Sequence, residues 1–412
     1  MGLSLPLIVA ALVVPQLIER LGYERFGLLA LAWGLVGYAG ALDLGIGRAL
    51  TQMIARLRGE GRQFEAPDSL ATAARITLYT GLVGGALIVV AALCGTSKWI
   101  HTQDVSTAEI RNAMLLLALA LPAQAMSATY RGLNEAFLNF KGISVLRVGL
   151  GGINFGGPYI VSLYTTNLAW MVATIVVSRL IALYIYRWMA ATSLKSLDSE
   201  ISGSYSPAIA RELFSFGGWI TISSVVSPIL VQVDRFVIAS TVSAAAVTIY
   251  VVPQQIVVQS LIIVGSISSV MFPVLSALIK AEPDRWRPYF QHWLCIVGAV
   301  MSLTCACLAM ALPALLQVWL KESLNPESIA VGQVLCLGVF ANSVGSMFYA
   351  LLHAKGRPDV TAKLHIVELP LFIGLLIILL NVYGILGAAW AWVVRMVFDA
   401  AALAIFAGKS RA

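Results

Sequence analysis

The sequence predicts an all-α polytopic membrane protein, and three observations predict it. The chain has 412 residues, of which 59% are hydrophobic and 11% charged, against roughly 25% charged in soluble domains. The apolar residues gather into about a dozen runs. A run near 20 residues, at about 1.5 Å rise per residue, covers the roughly 30 Å hydrocarbon core as a helix. Lys and Arg collect in every second gap between the runs, and basic gaps mark the cytoplasmic side.

In chain order, spans are predicted near residues 3–18, 26–47, 70–94, 113–130, 143–164, 168–189, 214–238, 244–270, 291–313, 329–353, 363–381 and 385–407. Eighteen of the 27 Lys and Arg fall in alternate gaps or at the C-terminus and five in the other gaps. Both termini are therefore expected in the cytoplasm, with an even number of spans. The remaining four, Arg75, Arg179, Arg235 and Arg395, lie inside runs. The longest external loop runs from about Gly95 to Asn112, too short to fold as a domain. The first span is short, and no basic n-region or cleavage signal precedes it.

The net charge of +7 belongs to cytoplasmic loops facing anionic lipid rather than to nucleic-acid binding. The cysteines, Cys94, Cys295, Cys305, Cys307 and Cys336, are odd in number and sit within or at the ends of apolar runs. Neither a disulfide framework nor a metal site is expected from them. His292, His353 and His365 lie near cytoplasmic span ends and His101 in an external loop, with no zinc or triad spacing. No nucleotide-binding motif is present. Neither a cofactor nor a catalytic residue is expected.

An internal repeat is visible at a shift of 216 residues. It brings Ser127 onto Ser343, Lys141 onto Arg357, Arg147 onto Lys363 and Arg179 onto Arg395 without a gap. With six spans in each half, both halves share one orientation. That predicts two pseudo-symmetric six-helix lobes, residues 1–190 and 213–412, joined by a cytoplasmic linker at 191–212 and enclosing a central cleft.

Particular residues carry a family resemblance. Glu24-Arg25-Phe26-Gly27-Leu28-Leu29-Ala30-Leu31 and Asp43-Leu44-Gly45-Ile46-Gly47-Arg48-Ala49-Leu50 open the first half. Phe216-Gly217-Gly218-Trp219, Val233-Asp234-Arg235-Phe236, Tyr250-Val251-Val252-Pro253 and Phe272-Pro273-Val274-Leu275-Ser276 follow in the second. This order resembles the O-antigen (Wzx-like) flippases of the multidrug/oligosaccharidyl-lipid/polysaccharide exporter superfamily. Members usually begin with a longer first helix, so about twenty residues of that lead are expected to be missing here. The resemblance implies a bacterial inner-membrane flippase, moving a polyprenyl-diphosphate-linked oligosaccharide for surface polysaccharide synthesis. A sugar–diphosphate head group crosses hydrocarbon only inside a polar, cationic path. The partners expected are the lipid-linked glycan and membrane lipid; the energy source stays open between a coupling cation at Asp234, Asp399 or Glu368, the membrane potential, and pull by downstream consumption of product, for which a polysaccharide polymerase is the candidate partner.

The intramembrane polar residues are weighed on that expectation. Arg179 and Arg395, near the midpoints of spans six and twelve, are candidate guanidinium forks for diphosphate oxygens. Their bland alternative is a tie between helices, favoured for Arg395 by Asp399 four residues on, whereas Leu183 follows Arg179. Arg235 is a candidate head-group receiver and Asp234 a gate or cation ligand; the alternative is that both snorkel to the outer interface. Gln255 and Gln259 share a helix face suited to sugar hydroxyls or to interhelical bonds. Asp43 and Arg48 are a candidate gate or entry at the inner end of span two. Arg75, Arg131, Arg147 and Glu368 are expected to snorkel at the cytoplasmic boundary. Trp33, Trp99, Trp170 and Trp188 belong to an interfacial aromatic belt.

Competing classes are weaker. A multidrug exporter of the same superfamily takes cations, which favours acidic residues at mid-membrane rather than arginines. A membrane polysaccharide polymerase or ligase tends to carry a large external loop, which this chain lacks.

Overall fold

In hydrocarbon every backbone N–H and C=O must bond within its own segment or a closed sheet. The chain solves this with helices alone. The computed structural model describes residues 4–38, 43–95, 100–195, 203–216, 218–282 and 285–409, and no strand occurs among them. Lys98, Trp99, Gly217 and Arg411 lie outside the described residues. The chain divides into two compact units, Met1–Pro228 and Ile229–Ala412.

The N-terminal unit begins with α1, Ser4–Tyr38, which bends at Gly22, where φ is 73° and ψ 171°. A side chain rarely tolerates that φ, and glycine lets one long helix make two crossings there. The second crossing ends at Tyr38, short of the predicted 47. The residues from Ile46 to Gly59 form a separate helix, α2. Its Ile46, Ala49, Leu50, Met53, Ile54 and Leu57 are buried on one face, while Arg48 and Arg56 stand exposed on the other. That is an amphipathic helix, not a span end. Then come α3 (Ala66–Leu93), α4 (Thr107–Ala136), α5 (Phe140–Ser162), α6 (Leu168–Lys195) and the short α7 (Pro207–Phe216).

Small residues let these helices approach closely. A Cβ on Gly81 would meet Pro122 Cα, one on Gly47 the Ala128 carbonyl, and one on Gly132 the Gly47 carbonyl. Hydroxyl and amide groups add ties: Thr77 to Thr129 at 2.9 Å across α3 and α4, and Asn134 Nδ2 to the Tyr186 carbonyl at 3.1 Å across α4 and α6. From residue 203 the expected linker is docked on this unit. Asp68 Oδ1 accepts from Ser204 N at 2.6 Å, Thr72 Oγ1 from Ser206 N at 3.0 Å, and Glu212 pairs with Arg56. Ala210 and Leu213 join the core of Ile54, Leu57 and Leu70.

The boundary between the units falls inside α8, Gly218–Thr241. The C-terminal unit continues with α9 (Ala244–Val258), α10 (Leu261–Ala281), α11 (Trp286–Leu320), α12 (Glu327–Ala354) and α13 (Pro358–Lys409). The predicted eighth span, 244–270, is two helices, parted at Gln259 and Ser260. Gly384, with φ 59° and ψ −144°, bends α13 into two limbs as Gly22 bends α1. Eight helices are long and apolar enough to cross a membrane among the described residues. Two of these double back, and α5 and α8 add one each, so the described residues supply about twelve membrane-spanning helices. The 216-residue shift carries α4 onto α12, α5 onto the first limb of α13 and α6 onto its second limb. All five cysteines are free thiols.

Candidate functional site

In the N-terminal unit the polar centre is Arg179. It stands near the middle of α6, and its Nη2 donates to Asn154 Oδ1 on α5 at 3.0 Å. The Asn154 carbonyl in turn accepts from Trp33 Nε1 at 3.1 Å, and Trp33 packs between Phe26 and Phe155. The Arg179 Nε is buried and bonded to nothing. Among the described residues no carboxylate pairs with this guanidinium. The helix that carries Asn154 and Phe155 also has a glycine face. A Cβ added at Gly149, Gly152 or Gly156 of α5 would meet nothing within 4 Å, so one α5 face has open space along two turns.

The C-terminal unit surrounds the equivalent Arg395 with acids. Its Nη1 donates to the Leu230 carbonyl of α8 at 2.8 Å, its Nε lies 3.9 Å from Glu368 Oε2, and its guanidinium covers the Phe372 ring at 5.1 Å. The expected partner Asp399 sits one layer further on, 4.0 Å from His365 Nε2. His365, Glu368 and Asp399 bring ligand atoms within 4.8 Å of one another. Glu368 is therefore not a snorkelling boundary residue: it is 1% exposed, because α13 begins ten residues earlier, about 15 Å along the axis. His365, which sequence spacing left without a role, joins it only because α13 folds back at Gly384.

Asp234 on α8 is buried as well, at 1% exposure, which rules out snorkelling. Its Oδ2 accepts from Tyr250 Oη at 2.9 Å and Gln254 Nε2 at 3.3 Å, and its Oδ1 from Arg235 N at 2.8 Å. Arg235 Nη2 reaches Gln254 Oε1 at 3.3 Å. The buried glutamine is thus Gln254. Gln255 is half-buried, and Gln259 is exposed at the C-terminal cap of α9. Asp43 and Arg48 form no ion pair. Asp43 is buried and accepts from Gly45 N at 2.9 Å, shaping the turn into α2, while Arg48 is exposed in the first turn of α2. Sequence reasoning gave no role to Asn154, Tyr250 or His365, and expected Glu368 at the cytoplasmic boundary. One signal was available: Glu368 and Asp399 stand at nearly equal sequence distance on either side of Gly384, and so at one depth.

Long apolar helices that carry buried charged and polar groups near their middles define a multi-pass membrane protein. The solved structures agree on the fold. Over 99% of this chain and 96% of the other, it matches an inward-facing multidrug-resistance MATE family transporter of the MOP superfamily, with a TM-score of 0.78 and 14% identity. The Vibrio cholerae MATE transporter VcmN in its bent form matches with a TM-score of 0.61 and 17% identity, over 99% of this chain and 93% of that one. Residues 4–279 match the family model described as polysaccharide biosynthesis protein, and the chain belongs to that family. It is also 26% identical over 404 residues, 97% of this chain and 93% of the other, to a Shigella flexneri protein named for O-antigen transport.

Proposed function

We propose that the protein flips a polyprenyl-diphosphate-linked oligosaccharide across the bacterial inner membrane by alternating access, with both termini cytoplasmic, for surface polysaccharide synthesis. The observation that carries this reading is Arg179, a mid-helix guanidinium with one amide partner, a buried Nε bonded to nothing and, among the described residues, no carboxylate. An ionised Arg at the bilayer centre costs about 2.5–3.5 kcal/mol on the mildest scale. An anionic ligand removes that cost, and a diphosphate offers oxygens for the guanidinium fork. The family and the Shigella relative's name support the same substrate class.

In this reading Arg179 binds the diphosphate. Arg235, Gln255 and Gln259 meet the head group along its route, and Arg395 and Asp234 act from within their own bonded networks. Asp43 shapes the cytoplasmic entry with Arg48 beside it. The lobes are residues 1–190 and 213–412 with the linker at 191–212. A coupling cation supplies the energy, and a polysaccharide polymerase takes the product.

The second reading, export of cationic drugs, is favoured by the buried acids Asp234, Glu368 and Asp399 and by the named function of the MATE neighbours. One experiment separates the two. Purified protein in nanodiscs is titrated with a polyprenyl-diphosphate oligosaccharide, with and without Arg179→Ala and Arg235→Ala. Saturable binding that falls at least tenfold, about 1.4 kcal/mol, in Arg179→Ala is expected. Unchanged binding in both variants returns the arginines to a structural role. Binding of hydrophobic cations without glycan binding establishes the drug exporter.

A further inference from the structure

The C-terminal unit holds more negative charge around Arg395 than Arg395 can neutralise. Glu368 and Asp399 are two carboxylates against one guanidinium, and Glu368 is almost wholly buried. Both Glu368 oxygens and Asp399 Oδ1 are buried and accept no hydrogen bond. Two adjacent buried anions that lack donors are costly, because desolvation weakens each and repulsion adds to it. One proton removes the excess charge and supplies the missing donor: a protonated Glu368 gives its O–H to Asp399, and the remaining anion balances Arg395.

The neighbours also argue for a proton over a metal ion. Hard cations take six or more oxygen ligands. This site offers two carboxylates and an imidazole, with a fixed guanidinium 3.9 Å from Glu368. Histidine is the side chain best suited to passing a proton near neutral pH, and a route of histidines leads outward. His365 Nε2 lies 4.0 Å from Asp399 Oδ1. One turn earlier on α13, Thr361 Oγ1 is 3.3 Å from His353 Nε2. His353 is in the last turn of α12, at the end that carries Lys355, Arg357 and Lys363.

Groups face this pair from every packed element. His365 comes from the first limb of α13 and Arg395 from the second. Asp234 of α8 and Tyr250 of α9 lie within electrostatic reach of Arg395, and His353 of α12 within reach of His365. Gly345 of α12 lies against Asp399, where a Cβ would stand 3.3 Å from Oδ2.

We infer that Glu368 and Asp399 share one exchangeable proton inside the C-terminal unit, loaded and withdrawn through His365 and His353 from the basic end. On release the Glu368 O–H bond breaks, the proton passes to the His365 ring and outward by way of His353, and both carboxylates are left ionised against Arg395. The inference deepens the flippase reading, since it identifies the coupling cation as a proton, but the proton itself is tested without any glycan.

The experiment is infrared difference spectroscopy of the full chain in nanodiscs, titrated between about pH 5 and 9. Expected is one protonated-carboxyl carbonyl band that vanishes as pH rises, shifts on carbon-13 labelling of glutamate and is absent in Glu368→Gln. Asp399→Asn, the second variant should Glu368→Gln fail to fold, keeps a carboxyl band but moves its midpoint. His365→Ala slows proton exchange. No titrating band, or the same band with an unmoved midpoint in both carboxylate variants, overturns the inference. Sodium chloride displacing the band at fixed pH, where choline chloride does not, replaces the proton with a sodium ion.

Discussion

The two units place an arginine at repeat-equivalent positions and treat it in opposite ways. Around Arg179 the equivalents of His365, Glu368, Phe372 and Asp399 are Gly149, Gly152, Gly156 and Leu183. One guanidinium has a single side-chain amide. The other has two acids, an imidazole, a carbonyl and an aromatic ring. The same charge on the same helix of the repeat is thus left available in one unit and consumed in the other. A buried charge needs a partner from somewhere. Where the protein withholds one, a ligand can serve.

The sharpest test of this contrast is Arg395→Met against Arg179→Met, measured by thermal unfolding in nanodiscs. Removing Arg395 leaves two buried carboxylates without their cation and is expected to cost about 3–5 kcal/mol. Removing Arg179 leaves only an amide short of a donor, at about 1 kcal/mol. Equal losses break the comparison.

A second difference concerns close approach. Gly132 in the N-terminal unit, backed by the Gly47 carbonyl, is replaced at the repeat position by Phe348, which packs on Phe290 at 5.4 Å. Gly132→Ala is expected to force α2 off α4 and to cost about 1–3 kcal/mol, read from the same unfolding curves.

Giving Arg179 an acid sharpens the comparison further. Asn154→Asp places a carboxylate on the very atom that Arg179 bonds at 3.0 Å and gives its guanidinium an internal counter-ion. The fold should hold while affinity for the polyprenyl-diphosphate oligosaccharide falls at least tenfold, about 1.4 kcal/mol. Unchanged affinity removes Arg179 from the binding site.

The smallest effect lies at the exposed start of α13. Hydrogen bonds from Arg357 and Lys363 hold the Asp359 carboxyl below its ordinary range. Its stabilisation is complete above the unfolded value of about 3.9 and is lost as pH falls through the lower folded value. Acid is therefore expected to loosen this turn, and Asp359→Asn to abolish that slope, in amide hydrogen exchange followed through the first turns of α13. Asp68, at the start of α3 in the N-terminal unit, binds Ser204 instead of a cation and provides the control.

Much of the fold was legible in the chain because a membrane leaves few choices. Apolar runs such as 168–189 or 329–353 must become helices. The repeat of Arg179 and Arg395 was visible as spacing, and so was the family. The errors share one cause. Residues 39–47 read as the continuation of an apolar run, yet Asp43 and Gly45 turn the chain and α2 is amphipathic. Glu368 and His365 read as boundary residues because hydropathy reports depth along a helix and nothing about the direction a side chain faces.

Composition, periodicity and the placing of Lys and Arg thus determined by themselves that the chain is helical, spans a membrane many times and repeats at 216 residues, since solvent dictates those features run by run. Only the tertiary structure decided which arginine is neutralised. Partners such as Asn154 for Arg179, or Glu368 and Leu230 for Arg395, stand on other helices. Their meeting depends on how each helix is rotated about its axis, which is set by the packing of glycines, prolines and aromatic rings against their neighbours.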